Sequence, residues 1–323
     1  MSTARTRWIV AAFVAVNAAT VAIAQDYPIR PIKIIQGFAA GGNADAVARI
    51  LGGEMSKGLG QPMIVESRPG AGGNLGADAV AKAAPDGYTL LLATGGHAVS
   101  GALYKSLPYN SVDGFEWIST SSVISFMLVG RGDAKARSLR ELLQAARSSP
   151  GSVTFGTAGI GATQHLTGEL LASMAGVKLT HVPYKGDAAA VTGLLGGEVN
   201  FVIAPATTVL SHIKAGRFIA LGVSGNTRWA GLPEVPTVVE GGVAGFDVRS
   251  WTGMAAPAGT PRAIVNRLNA ELLRALQVPD VRGKLEAIGG EVRGATPEEM
   301  RNHVASEVAR WSRVIREANI QRN

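Results

Sequence analysis

The chain has 323 residues, 46% of them hydrophobic, enough for two domains with sizeable cores that need no staples. It contains no cysteine, which excludes disulfides, thiolate catalysis, iron–sulfur clusters and a lipid-modified N-terminal cysteine. Its formal net charge of +7 comes from dispersed lysines and arginines with no basic run, which gives nucleic acid no support as a partner and anionic small molecules a weak one.

Residues 1–24 read as a secretory signal. Arg5 and Arg7 precede an apolar run from Trp8 to Val16 that continues through Ala19, and Ala22-Ile23-Ala24 supplies a small-residue cleavage site. The run falls short of the ~20 residues a membrane span needs and is broken by Asn17 and Thr20. Cleavage would leave a mature chain from Gln25 with a charge of about +5. No later stretch has the uninterrupted apolar length of a span, so a transport role needs a separate membrane partner.

From Ile32 the rhythm is βαβα. Strand-like Ile32 to Ile35 leads through a glycine turn to a helix from Asp45 to Leu59, then to strand Met63 to Glu66 and a second glycine turn. A helix from Leu75 to Ala84 stops at Pro85-Asp86-Gly87, strong turn chemistry ahead of strand Tyr88 to Ala93. The latter is a continuous apolar run, the pattern of a buried parallel strand.

A further apolar run, Ile124 to Val129, reads as the first crossing into a second domain, followed by a helix from Ser138 to Arg147. Val153 to Met174 is the centre of that domain. Strand-like Val153-Thr154-Phe155 enters a turn containing Gly156, Gly159 and Gly161, and His165, Leu166, Leu170 and Leu171 then fall at helical spacing. A strand-to-helix turn of this kind aims free backbone N–H groups and the positive end of a helix at an anion; an ordinary βα turn is the competing reading. Strand Leu179 to Val182, helix Ala188 to Leu195 and strands Val199 to Ile203 and Ile219 to Val223 complete the second domain. Phe246 to Ala256 is the return crossing. Pro261 opens a helix with Ile264, Val265, Leu268, Leu272 and Leu273 on one face, and Pro297 opens the last, whose stripe Met300, Val304, Val308, Trp311, Ile315 is core packing.

Of the motifs that carry chemistry, most are missing. None of the three glycine turns is followed by a Lys-Ser/Thr pair, so there is no P-loop, and Gly70-Ala71-Gly72-Gly73-Asn74-Leu75-Gly76 lacks the acidic strand end of a dinucleotide fingerprint, so no cofactor is expected. There is no G-x-S-x-G elbow, and His97, His165, His181, His212 and His303 stand singly, without metal-ligand spacing. A secreted hydrolase using His97 or His165 as base remains the alternative from another class. Asp45 and Asp187 each lie close to a helix start, where capping explains either; for Asp187 the functional alternative is an acceptor for a polar or cationic group on a ligand.

Several motifs taken together are more specific. Gly41-Gly42-x-x-Asp45-x-x-Ala48-Arg49, Arg68-Pro69-Gly70-Ala71-Gly72-Gly73-Asn74, Pro85-Asp86-Gly87-Tyr88-Thr89, Leu107-Pro108-Tyr109, His181-Val182-Pro183-Tyr184-Lys185-Gly186, His212-Ile213-Lys214-Ala215-Gly216 and Ala256-Pro257-x-Gly259-Thr260-Pro261, in this order, resemble the tripartite tricarboxylate transporter substrate-binding proteins, the Bug-type periplasmic receptors. The resemblance covers nearly the whole mature chain. It implies an α/β type II periplasmic-binding-protein fold, with lobe I formed by 25–124 plus 248–323, lobe II by 125–247, and a ligand between them. It implies a monomeric, non-enzymatic periplasmic receptor for a small organic acid or related carboxylate-bearing compound, without metal or cofactor, that serves membrane transporter subunits or a sensor protein.

Carried over by position, the resemblance places ligand contacts at Phe38, Ala40, Gly41, Gly42, Gly95, Gly96 and His97 in lobe I, and at Thr157, Ala158, Gly159, Asp187, Ala204 and Pro205 in lobe II. The chain departs from the family pattern near these positions. Ala39-Ala40 stand where prolines are usual, Asp187-Ala188-Ala189-Ala190 where a small residue and Pro-Ala are, Gly193 where an acid is common, and Ala204-Pro205-Ala206 replaces a more polar segment.

Overall fold

The computed structural model describes residues 27–323; the expected signal, 1–24, lies outside the described residues. Strands β1 (Ile32–Gln36), β2 (Met63–Ser67) and β3 (Thr89–Thr94) are parallel, with β1 between the other two. The crossovers between them are helix α1 (Asn43–Leu59) and helix α2 (Asn74–Ala81). Strand β3 has the buried, near-continuous apolar character of a sheet covered on both faces. It is followed directly by helix α3 (Gly95–Leu103), a helix that the sequence pattern does not announce.

The element that joins the halves is β4 (Phe115–Arg131), far longer than the apolar run Ile124 to Val129 that announced it. From Phe115 to Ser125 it pairs antiparallel with β9 (Arg249–Pro257), which in turn pairs with β3. From Phe126 to Arg131 it pairs antiparallel with β7 (Phe201–Pro205) and β8 (Phe218–Val223) in a second sheet. There β5 (Thr154–Thr157) lies between β6 (Thr180–Pro183) and β7, parallel to both. Helices α4 (Leu139–Ser148), α5 (Thr163–Ala175), α6 (Asp187–Gly196) and α7 (Ala206–Lys214) belong to this second half. The return passes beside β4: Ser224 Oγ accepts from Phe126 N at 2.8 Å and donates to Val248 O at 2.6 Å, which pins the two crossings together.

Helices α8 (Arg262–Gln277), α9 (Pro279–Ala287) and α10 (Pro297–Glu317) and the short β10 (Gly290–Val292) complete the first half. Val47, Leu51 and Met55 of α1 pack with Val265, Leu268 and Leu272 of α8 on one side of its sheet. Ala98 and Leu103 of α3 pack with Val304 and Trp311 of α10 on the other. The α10 stripe is core as expected, with Val308 only half-buried; Thr296 and Glu299 close a capping box ahead of it, and Pro297 takes the first turn. Pro261, expected as the first residue of α8, instead caps it.

Candidate functional site between the lobes

Parallel strands deliver their following loops to one edge, and here the loops after β1, β3, β5, β6 and β7 all meet between the two sheets. The N-termini of α1, α3, α5, α6 and α7 therefore point into one cleft. Their first N–H groups have no partners within the helix, and their dipoles favour negative charge.

The cleft walls touch. Ala39 N donates to Lys185 O at 3.3 Å, and Thr207 Oγ1 donates to Asn43 Oδ1 at 2.6 Å. Thr163 Oγ1 lies 3.3 Å from Ser250 Oγ. Between these contacts is a cavity of about 30 Å³, smaller than any organic acid, whose lining includes Phe38, Asn43, Gln164, Asp187, Pro205 and Trp251. Phe38 and Thr94 also line a neighbouring cavity of about 20 Å³ bordered by Gly73, Asn74 and His97.

The residues picked out by sequence do not share one role. Phe38, Asp187 and Pro205 line the central cavity, and Gly42 is buried against Asp187. Gly95 and Gly96 start α3 and face the other lobe: a Cβ on Gly95 would lie 2.9 Å from Thr163 Oγ1, and one on Gly96 3.4 Å from Ala162 Cα. Gly159, at φ +130°, faces Gly72 N across the cleft. Ala158 and Ala204 are buried in the supporting loop and strand, whereas Ala40 and Gly41 are exposed at the rim.

Thr157 and His97 turn inward, away from the cavity centre. Thr157 Oγ1 bonds His181 Nε2 at 2.7 Å and receives Gly159 N at 3.3 Å, so it shapes its own turn. His97 Nε2 lies 2.8 Å from Ser111 O, and its ring is enclosed by Tyr109, Phe115 and Trp117. Burial pushes its pKa down to about 4. His165 stacks on His181 at 4.2 Å, and burial likewise pushes it down to about 4. Neither histidine is paired with a serine, so the geometry gives no triad.

Asp45, the third residue of α1, accepts from Gly41 N at 3.2 Å in the loop before the helix and pairs with Arg49; it does not cap α1, whose N-cap is Gly42. Asp187 also differs from the capping expectation. It opens α6, accepts from Gln164 Nε2 of its own lobe at 2.8 Å through Oδ1, and turns Oδ2 across the cleft toward the Gly42 backbone at the start of α1, 3.3 Å from where a Cβ would stand. Asn43, Thr163, Gln164, Ser250 and Trp251 are among the cavity residues that sequence reasoning missed. The first three stand in the first turns of α1 and α5, so a search of first turns, and not of glycines alone, finds them. Among the described residues no group of three His, Cys, Asp or Glu is placed to hold a metal, and no helix is long and apolar enough to cross a membrane.

Two α/β lobes joined by β4 and a return strand, with a cleft at the strand ends, define a type II periplasmic binding protein. The model of the tripartite tricarboxylate transporter family receptor matches residues 47–320, and the chain belongs to that family of solute-binding receptors. A protein from the tcbD-tcbE intergenic region of Pseudomonas sp. strain P51 is 41% identical over 92% of this chain and 89% of its own. Among solved structures, the periplasmic binding protein BugD aligns with a TM-score of 0.88 and 35% identity over 92% of this chain and all of BugD, covered at 100%. Rpa4515 of R. palustris, solved with adipate, aligns with a TM-score of 0.88 and 34% identity over 92% of this chain and 99% of its own. MatC of Rhodopseudomonas palustris, with bound malate, aligns with a TM-score of 0.85 and 34% identity over 90% of this chain and 100% of its own.

Proposed function

We propose that the chain is exported to the periplasm, captures a small organic acid between its two lobes by closing on it, and delivers the acid to membrane transporter subunits. The observation that carries this is the convergence of helix N-termini from both lobes on a central cavity whose lining includes no lysine or arginine. Such a site neutralises a carboxylate with backbone dipoles, which gain strength as water leaves. Adipate in Rpa4515 and malate in MatC support an acid as the guest.

The lobes divide at 25–124 plus 248–323 and 125–247, with the hinge where β4 changes sheets and Ser224 ties it to Val248. The first-lobe contacts are the loops 38–42 and 95–97. The second-lobe contacts are the loop 157–159, Asp187 and the end of β7 at Ala204-Pro205. Closure is the signal to the membrane partner, since a ligand shifts only an equilibrium between forms it binds differently. The mature protein acts as a monomer without cofactor or catalysis, and the placement of His97 and His165 gives a hydrolase no support.

The test is a thermal-shift panel of organic acids, their amides and amino acids, followed by calorimetry. A ligand at 100 times its dissociation constant stabilises by about 2.7 kcal/mol. If none of the panel stabilises the protein, or if it turns over an ester or amide, the receptor reading is wrong.

A further inference from the structure

We infer that Asp187 sets the ligand class of the cleft, selecting a monocarboxylate whose other end is a hydrogen-bond donor, an amide or an ammonium, over a dicarboxylate. This inference rests on the receptor reading above. Asp187 is the only ionisable side chain among the described residues that line the central cavity of about 30 Å³; the cavity of about 660 Å³ farther along the lobe junction is lined by Lys214, Arg228, Arg249 and Arg282 with Glu286 and Glu291. It is 6% exposed, and the donor it meets is neutral, Gln164 Nε2 from α5 at 2.8 Å. Its Oδ2 lies close to the Gly42 backbone, 3.3 Å from where a Cβ would stand. The nearest charged pair on the facing helix is Asp45 with Arg49, whose guanidinium lies 3.0 Å from Asp45 Oδ1.

Two consequences follow from that placement. At the N-terminus of α1, a natural seat for a guest's carboxylate, a carboxylate of the protein itself, Asp187, already lies against the Gly42 backbone. A second guest carboxylate entering there would lie beside Asp187 in a desolvated wall without a cation, where like charges oppose joint ionisation. Burial already pushes Asp187 up to about 6, the mark of a carboxylate short of positive partners. An N–H donor from the guest supplies what the wall lacks, while the N-termini of α3 and α5 remain free for its single carboxylate.

Calorimetry on the mature chain at pH 7.5 tests this with matched series: glutarate against glutaramate and 4-aminobutyrate, adipate against adipamate and 6-aminohexanoate. The expected result is at least tenfold tighter binding of a half-amide or ω-amino acid than of its diacid. Asp187→Asn, neutral and of the same shape, is expected to abolish that preference by strengthening the diacid; Asp187→Ser serves the same purpose should Asp187→Asn not fold. A wild-type protein that binds the diacid as tightly as or more tightly than its partners overturns the inference and leaves the receptor reading standing. A preference unchanged in the folded variant also overturns it. Absence of binding by every acid in both series overturns the organic-acid reading and this inference with it.

Discussion

Gly72 of the first lobe and Ile160 of the second meet backbone to backbone: a Cβ on Gly72 would stand 2.3 Å from the Ile160 carbonyl oxygen, at a φ of +64°. The contact closes the rim of the cleft beyond the central cavity. Only glycine permits both the left-handed backbone and the close approach.

Gly72→Ala is therefore expected to weaken binding of the best acid in the panel at least tenfold, about 1.4 kcal/mol, by propping this rim open. The backbone conformation itself costs an alanine about 1–2 kcal/mol, which lowers the melting temperature of the ligand-free protein by a few degrees. Calorimetry separates the two effects, and small-angle scattering of the liganded variant reports whether it stays expanded. Unaltered affinity would show that this contact has no part in capture.

Acid is expected to destabilise the fold between about pH 6.5 and 4. Burial lowers His97 and His165 from 6.5 to about 4 and His181 to about 3, so above 6.5 both folded and unfolded chains leave them neutral. Below 6.5 the unfolded chain takes up protons that the folded chain refuses, and stability is lost as pH falls toward 4. Asp187 works in the opposite sense. Raised from 3.8 to about 6, it favours the folded state most fully below 3.8 and loses that contribution as pH rises through 6. His212 and His303, also lowered by burial, add to the three histidines, and Glu169, raised by burial, sides with Asp187; the histidines leave a net fall in melting temperature from pH 7 to 4.5, measured by calorimetry. His181→Gln, which keeps a partner for Thr157, is expected to shrink that fall by about a third; a flat profile in the wild type contradicts the assignment.

Trp311 is fully buried in the core between α3 and α10. Trp311→Ala is expected to cost about 3–5 kcal/mol in denaturant unfolding, whereas Leu75→Ala, at a position 57% exposed, stays within about 0.5 kcal/mol. Equal losses would mean that the α10 stripe is not core.

Gly193 is held small by Tyr184, whose hydroxyl would lie 2.3 Å from a Cβ there and which donates to Glu198 Oε2 at 2.8 Å. The acid common at this position in the family would collide with that pair. Gly193→Asp is expected to destabilise by about 1–3 kcal/mol. Tyr184→Ala should recover part of the loss, and a double-mutant cycle that proves additive would sink the steric account.

Local pattern carried most of the fold. The glycine and Pro-Asp-Gly turns, the apolar runs and the 3.6-residue stripes lie within single elements, so α1, β3, α5 and α10 were legible before any packing was known. The misses have physical causes. Helix α3 opens on Gly95-Gly96, which do not announce a helix, and α7 follows β7 with no polar break after Pro205. Strand β4 was cut short because Ser119, Ser121 and Ser122 break its apolar run, yet all three are buried, with Ser121 and Ser122 bonded to Thr252 Oγ1 at 2.8 Å.

The sequence by itself determined the element rhythm, the family and the loops that face the cleft, because turn chemistry and motif order are properties of short stretches. Only the tertiary structure decided what each side chain in those loops meets. His97 flanks the right turn but turns into an aromatic cluster, and Asp187 starts a helix but turns toward the helix opposite. Those outcomes depend on how two lobes, brought together by β4 and its return strand, set residues distant in sequence within hydrogen-bond reach, as Thr207 is of Asn43 and Thr163 of Ser250.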